Sequence, residues 1–101
     1  MQILWSDQSK HQLKEIYIYY KEVAGTKIAK SIKDKIIRKP LLLKSHPEIG
    51  QLEDNPIVAG RGFRYLVEGH HKIVYKRYPD QAIILIAAVF DTRMNPTSLR
   101  L

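Results

Sequence analysis

The stretch Phe63-Arg64-Tyr65-Leu66-Val67-Glu68-Gly69-His70-His71-Lys72-Ile73-Val74-Tyr75-Lys76-Arg77-Tyr78 runs through Pro79-Asp80 into Ala82 to Phe90, and its reading decides the fold. Phe63, Tyr65 and Val67 alternate with Arg64 and Leu66, the period of an extended strand whose successive side chains point to opposite faces. Glu68-Gly69-His70 turns the chain back into His71 to Tyr78, and Pro79-Asp80 makes a second tight turn. Three consecutive strands joined in this way predict an antiparallel meander.

The last of these strands is apolar twice over. Ala82, Ile84, Ile86, Ala88 and Phe90 would line one face, and Ile83, Leu85, Ala87 and Val89 the other, so both faces need shielding from water. A helical hairpin covers one face of a sheet. The second is left to the tail, Asp91 to Leu101, or to another chain, and an uncovered apolar patch of this kind marks a protein interface. Ile83, Leu85, Ala87 and Val89 are the expected contact residues.

Upstream the period changes. Ile3-Leu4-Trp5 reads as a short strand ended by Ser6, a natural N-cap. Leu13, Ile16, Tyr17, Tyr20 and Val23 then recur at helical steps over about four turns, until Gly25 ends the helix. A second helix starts at Thr26, with Ile28, Ala29, Ile32 and Ile36 as one stripe and the lysines outward. Pro40 removes a backbone donor and predicts a kink or restart before Leu41 to Leu43. Tyr17 to Tyr20 could form a stacking platform for bases, but at helical spacing core packing is the expected role. Pro47 and Gly50 mark the exit from the helical half, and Gln51 to Gly62, with Pro56, Gly60 and Gly62, reads as a loop. The resulting class is α+β: a strand, a helical hairpin, then a three-strand antiparallel meander forming one small sheet packed on the two helices.

With 101 residues the chain is expected to be a single domain, residues 1–101. The absence of cysteine points to a cytoplasmic setting, and no segment reads as a signal peptide or membrane anchor. Seventeen basic against ten acidic residues give a net +7, which favours acidic or polyanionic partners. Seven of the cations, against the single acid Asp34, lie between Thr26 and Lys44. They suit a solvated helix face and a nucleic-acid footprint alike.

Little in the chain speaks for common catalysis. His70 and His71 are adjacent and would diverge on a strand, His11 and His46 have no companion ligands at suitable spacing, and no metal site is expected. Phosphate-binding loops, nucleophile elbows and recognisable carboxylate pairs are missing, and no cofactor is expected. What remains is basic: Lys72 and Lys76 share one face of a strand, and Arg64 on the neighbouring strand could stand near them. Such a trio suits a phosphate group, or simply the solvent side of a half-buried sheet.

The segments Phe63-Arg64-Tyr65-Leu66, His71-Lys72-Ile73-Val74-Tyr75, Ile83 to Val89 and Phe90-Asp91-Thr92-Arg93-Met94-Asn95-Pro96 resemble the C-terminal half of RelE/ParE-type toxins. Trp5-Ser6 opening a helix, the helical hairpin, and Pro47 and Gly50 before the loop suit the same family, so the resemblance covers nearly the whole chain. It implies the toxin of a type II toxin–antitoxin, or plasmid stabilisation, system, neutralised by a cognate antitoxin whose C-terminal segment, commonly acidic, wraps the toxin. Operator DNA would then be met only through the toxin–antitoxin complex. RelE-like members cleave mRNA on the translating ribosome, and there Lys72 falls where a catalytic Arg is common, Arg93 near a second basic position, with Arg64 completing the set. ParE-like members inhibit DNA gyrase without such a site. After Phe90 no Tyr or His follows to serve as the usual acid or base, a role left to His70 or His71 in a nuclease, so the ParE-like branch and gyrase inhibition are the expectation.

Overall fold

Ser6 shows how the first strand hands over to the first helix. Its backbone is extended (φ −66°, ψ 161°) and its hydroxyl oxygen accepts the Ser9 N–H at 3.0 Å, which satisfies one of the donors a helix start leaves free. In the computed structural model, which describes residues 1–56 and 58–93, this cap separates β1 (Gln2–Trp5) from α1 (Asp7–Ala24). Gly25, at φ 92°, takes the reversal into α2 (Thr26–Arg38). Pro40 forces the expected break: α2 passes into a 3-10 turn over Lys39–Lys44, and Pro40 and Leu43 are buried there. Then come β2 (Gln51–Leu52), β3 (Phe63–Glu68), β4 (His71–Tyr78) and β5 (Ile83–Asp91).

The α+β class and the meander are as expected, but the sheet is larger. Its order is β1-β5-β4-β3-β2, with β1 parallel to β5 and the other pairs antiparallel. The segment read as a loop from Gln51 thus begins with an edge strand. Helix α1, at 18 residues, also runs longer than about four turns.

Both helices pack on one face of this sheet. Leu13, Ile36, Leu43, Leu66, Ile73, Tyr75, Ile84, Ile86 and Val89 form the main core, with Trp5, Ile16 and Ile32 packed against it. The stripe on α2 is Ala29, Ile32 and Ile36; Ile28, expected with them, is exposed. Core packing for the tyrosine-rich run is likewise only half right. Tyr17 and Tyr20 are half-buried, while Ile18 and Tyr19 stand exposed on the outer side of α1, because four consecutive helical residues cannot share one face.

A second cluster lies on the opposite face of the sheet: Val58, Phe63, Val74, Ala87 and Ala88, with Tyr65 and Phe90 partly buried beside them. Val58 belongs to the segment between β2 and β3 and is 1% exposed. The chain's own loop therefore covers part of the face that was expected to await the tail or a partner. The tail from Met94 onward, like Ile57, lies outside the described residues.

Candidate functional site

A β-bulge determines which residues of β5 face outward. Val74 pairs with Ala88 but Tyr75 pairs with Ile86, so Ala87 is an extra residue and the side-chain alternation shifts by one there. Before the bulge Ile84 and Ile86 face the helices; after it Val89 does. Ile83, Leu85, Ala87 and Val89 therefore do not share a face, which corrects the strict alternation assumed from sequence. Val89 is 1% exposed in the main core and Ala87 is buried in the second cluster. Only Ile83 and Leu85 remain half-accessible on the side away from the helices.

The bulge sits where β1 ends. Beyond Trp5 no strand borders this edge of β5, and α1 with its cap supplies the missing partners: the Ser6 hydroxyl donates to Ala87 O at 3.1 Å, and the Val89 N–H donates to Gln12 Oε1 at 2.8 Å.

The three candidate catalytic cations are not brought together. Register pairs Arg64 with Tyr75, on the helix-covered face, and Lys72 with Val67, on the other. Arg64 donates to Gly50 O at 2.9 Å, pinning the chain just before β2. Lys72 reaches across the outer face, where its ammonium lies 2.7 Å from Glu53 Oε2 and 4.0 Å from the centre of the Tyr65 ring. The Glu53 side chain is 1% exposed, and its Oε1 accepts the Asn55 N–H at 3.0 Å. Lys72 thus anchors the covering loop. Arg93, beyond β5, grips the Asp91 carboxylate through its Nε at 2.8 Å and its Nη2. That contact drives the Asp91 carboxyl well below the usual carboxylate range. Glu53 is the residue the sequence hid: next to Asp54 in a loop, it carries no pattern that marks it for burial.

At the same end of the sheet, His71 is buried against α1, with the Tyr20 ring edge-on at 6.0 Å between centres. Burial lowers its pKa, the neighbouring His70 and Arg93 add to this, and Asp91 opposes it. His71 and Tyr20 share a shallow apolar groove with Ile16, Tyr19 and Phe90. Among the described residues no cluster of His, Cys, Asp or Glu could hold a metal ion, and no helix is long and apolar enough to cross a membrane.

A broader groove opens beside the free edge of the sheet. Ile3, Leu4 and Trp5 of β1, Leu13 and Tyr17 of α1 and Ile37 of α2 line it, with Lys10, Lys14 and Lys33 around them. Lys33 holds its ammonium 5.3 Å from the Tyr17 ring centre. β1 is the terminal strand of the sheet, so its outer N–H and C=O groups have no strand partner among the described residues. An apolar floor, a cationic rim and an open strand edge make this the surface best built to receive another chain.

Residues 3–96 match the family model described as the ParE toxin of the type II toxin–antitoxin system parDE. The chain belongs to the ParE toxin family. A solved structure described as the chromosomal ParDE toxin–antitoxin system from P. aeruginosa shares the fold, with a TM-score of 0.72 and 20% identity over 90% of this chain and 95% of that one. No curated protein matches the chain. Membership of a ParE family makes the chain the toxin half of a two-component system, and a cognate antitoxin is the partner that this implies. The bulge, the open β1 edge and the Lys72–Glu53 anchor are features of this ParE-family toxin that its short motifs do not announce.

Proposed function

We propose that this toxin acts without catalysing a reaction, by binding and inhibiting DNA gyrase, and that its antitoxin neutralises it by laying an acidic amphipathic segment in the groove beside β1. The observation that carries the first part is the dispersal of Lys72, Arg64 and Arg93. One is paired with a buried carboxylate, one lies on the other face of the sheet, and one is clasped by Asp91. Cleaving RNA needs cations converging on one phosphate, and the dispersal of these three speaks against it. Membership of the ParE family supports gyrase as the target. The lysine rim and apolar floor of the groove support an acidic segment with an apolar stripe as its occupant.

Induced expression tests the reading in cells. The expected result is a DNA-damage response with no new in-frame 5′ ends in translated messages. Fresh cuts in translated mRNA without DNA damage would replace gyrase inhibition with ribosome-dependent RNA cleavage.

A further inference from the structure

Nearly all of the net charge of the molecule sits on α2 and the 3-10 turn that follows it. The run from Thr26 to Lys44 carries seven cations and one acid, a balance of +6 in a chain of +7, so the other residues together carry only +1. Ala29, Ile32 and Ile36 fix the inward side of α2. With about 100° per residue, Lys27, Lys30, Ser31, Lys35 and Arg38 then fall on the outward arc, along a rigid face about 20 Å long. All five are exposed. None of the four cations forms an ion pair among the described residues; Asp34 on the same arc engages Arg38 through its backbone carbonyl, which accepts the Arg38 Nε at 3.3 Å. Four unpaired cations on one arc, offset only by the Asp34 carboxylate, repel one another unless something anionic lies over them.

The chemistry of the arc selects among anionic partners. A protein interface needs an apolar centre that loses its water, and a helix lying in a membrane surface needs an apolar wedge. Neither is present: Ile28 and Ile37 are exposed but nine residues apart, half a turn out of phase, at opposite margins of the arc. A single nucleic-acid strand is held by stacking its bases on aromatic rings, and the arc has none. Duplex DNA asks only for cations and hydroxyls against its phosphates, and its major groove admits a helix, whereas the major groove of duplex RNA is too narrow.

We propose that the outward face of α2 binds the phosphate backbone of duplex DNA without reading bases. The contact belongs to the toxin itself and stands independently of which enzyme it inhibits.

The test is binding of the purified full-length toxin to a mixed-sequence DNA duplex as a function of salt. Four neutralised phosphates give a slope of roughly −3.6 in log K against log salt, a loss of about 150-fold between about 50 and 200 mM salt. The triple variant Lys27→Gln, Lys30→Gln, Lys35→Gln should fold normally, since all three side chains are exposed, and its slope should fall to roughly −0.9. A variant with the same charge loss off α2, Lys21→Gln, Lys44→Gln, Arg61→Gln, should keep most of the wild-type slope. A flat wild-type slope, an unchanged triple variant, or an equal loss in the charge-matched variant overturns the proposal. Equal binding to duplex RNA removes the assignment to DNA, and displacement by polyglutamate as effective as by DNA points to an acidic protein instead.

Discussion

Glu53 Oε2 lies 2.7 Å from the ammonium of Lys72, and this contact fastens the segment between β2 and β3 to the outer face of the sheet. Removing one partner leaves the other poorly solvated. Glu53→Gln is therefore expected to cost about 2 kcal/mol, below the roughly 3–5 of a fully buried pair because Lys72 keeps some contact with water. Urea unfolding of Glu53→Gln, Lys72→Met and the double variant measures it. The double variant should lose less than the two single losses added together; simple additivity would mean the contact is not energetically coupled.

Gly50 is held where no side chain fits. A Cβ there would lie 2.5 Å from the Tyr75 hydroxyl oxygen and 2.7 Å from Tyr65 O. The Gly50 N–H also donates to the Tyr75 hydroxyl, which in turn donates to Pro47 O, each at 3.1 Å. Gly50→Ala should destabilise by about 2 kcal/mol or more, and Tyr75→Phe by about 1 through the lost hydrogen bonds. Because the clash with Tyr65 O is with backbone, Tyr75→Phe should not rescue Gly50→Ala. Thermal melts that showed full rescue would contradict this packing.

His71 makes stability depend on pH with a definite sign. Its folded pKa lies below the ordinary value of 6.5, chiefly through burial. Tyr20 faces it from α1, Asp91 and Arg93 from the end of β5, and His70 precedes it on its own chain. In acid the unfolded chain binds a proton that the folded chain resists, so stability should fall as the pH drops through and below 6.5. His71→Gln should flatten the dependence of melting temperature on pH between about 7.5 and 5.5, the range where an ordinary histidine titrates. An undiminished slope in the variant would place the effect elsewhere.

The antitoxin seat is tested by comparing two surfaces. Charge reversal at the groove rim, Lys10→Glu with Lys14→Glu, should weaken antitoxin binding by about tenfold or more and most strongly at low salt, because rim charges act through long-range attraction. Ile83→Ala with Leu85→Ala on the outer face should change it little. Calorimetric titration with the reverse ranking would return the seat to β5.

Local chemistry made much of the fold legible. Ser6 caps α1, Gly25 separates the helices, Pro40 breaks α2, and the two turns around β4 fall where Gly69 and Pro79 stand. Pairings between distant segments were not legible. Nothing in Ile3-Leu4-Trp5 says that it runs parallel to Ile84-Leu85-Ile86, and so the open edge and its groove stayed hidden. The bulge at Ala87 was equally silent, since Ala87 and Ala88 are chemically alike and only the register with Val74 and Tyr75 distinguishes them. That one inserted residue moved Val89 from the expected contact surface into the core. Arg64 and Lys72, eight residues apart across a hairpin, looked like neighbours until the pairing of Arg64 with Tyr75 placed them on opposite faces.

The most direct measurement is supercoiling of relaxed plasmid by purified gyrase across a titration of toxin, with and without the cognate antitoxin. Inhibition that saturates near stoichiometric toxin, is reversed by antitoxin and survives Lys72→Met is the predicted result. Normal supercoiling at a large excess of folded toxin would contradict it.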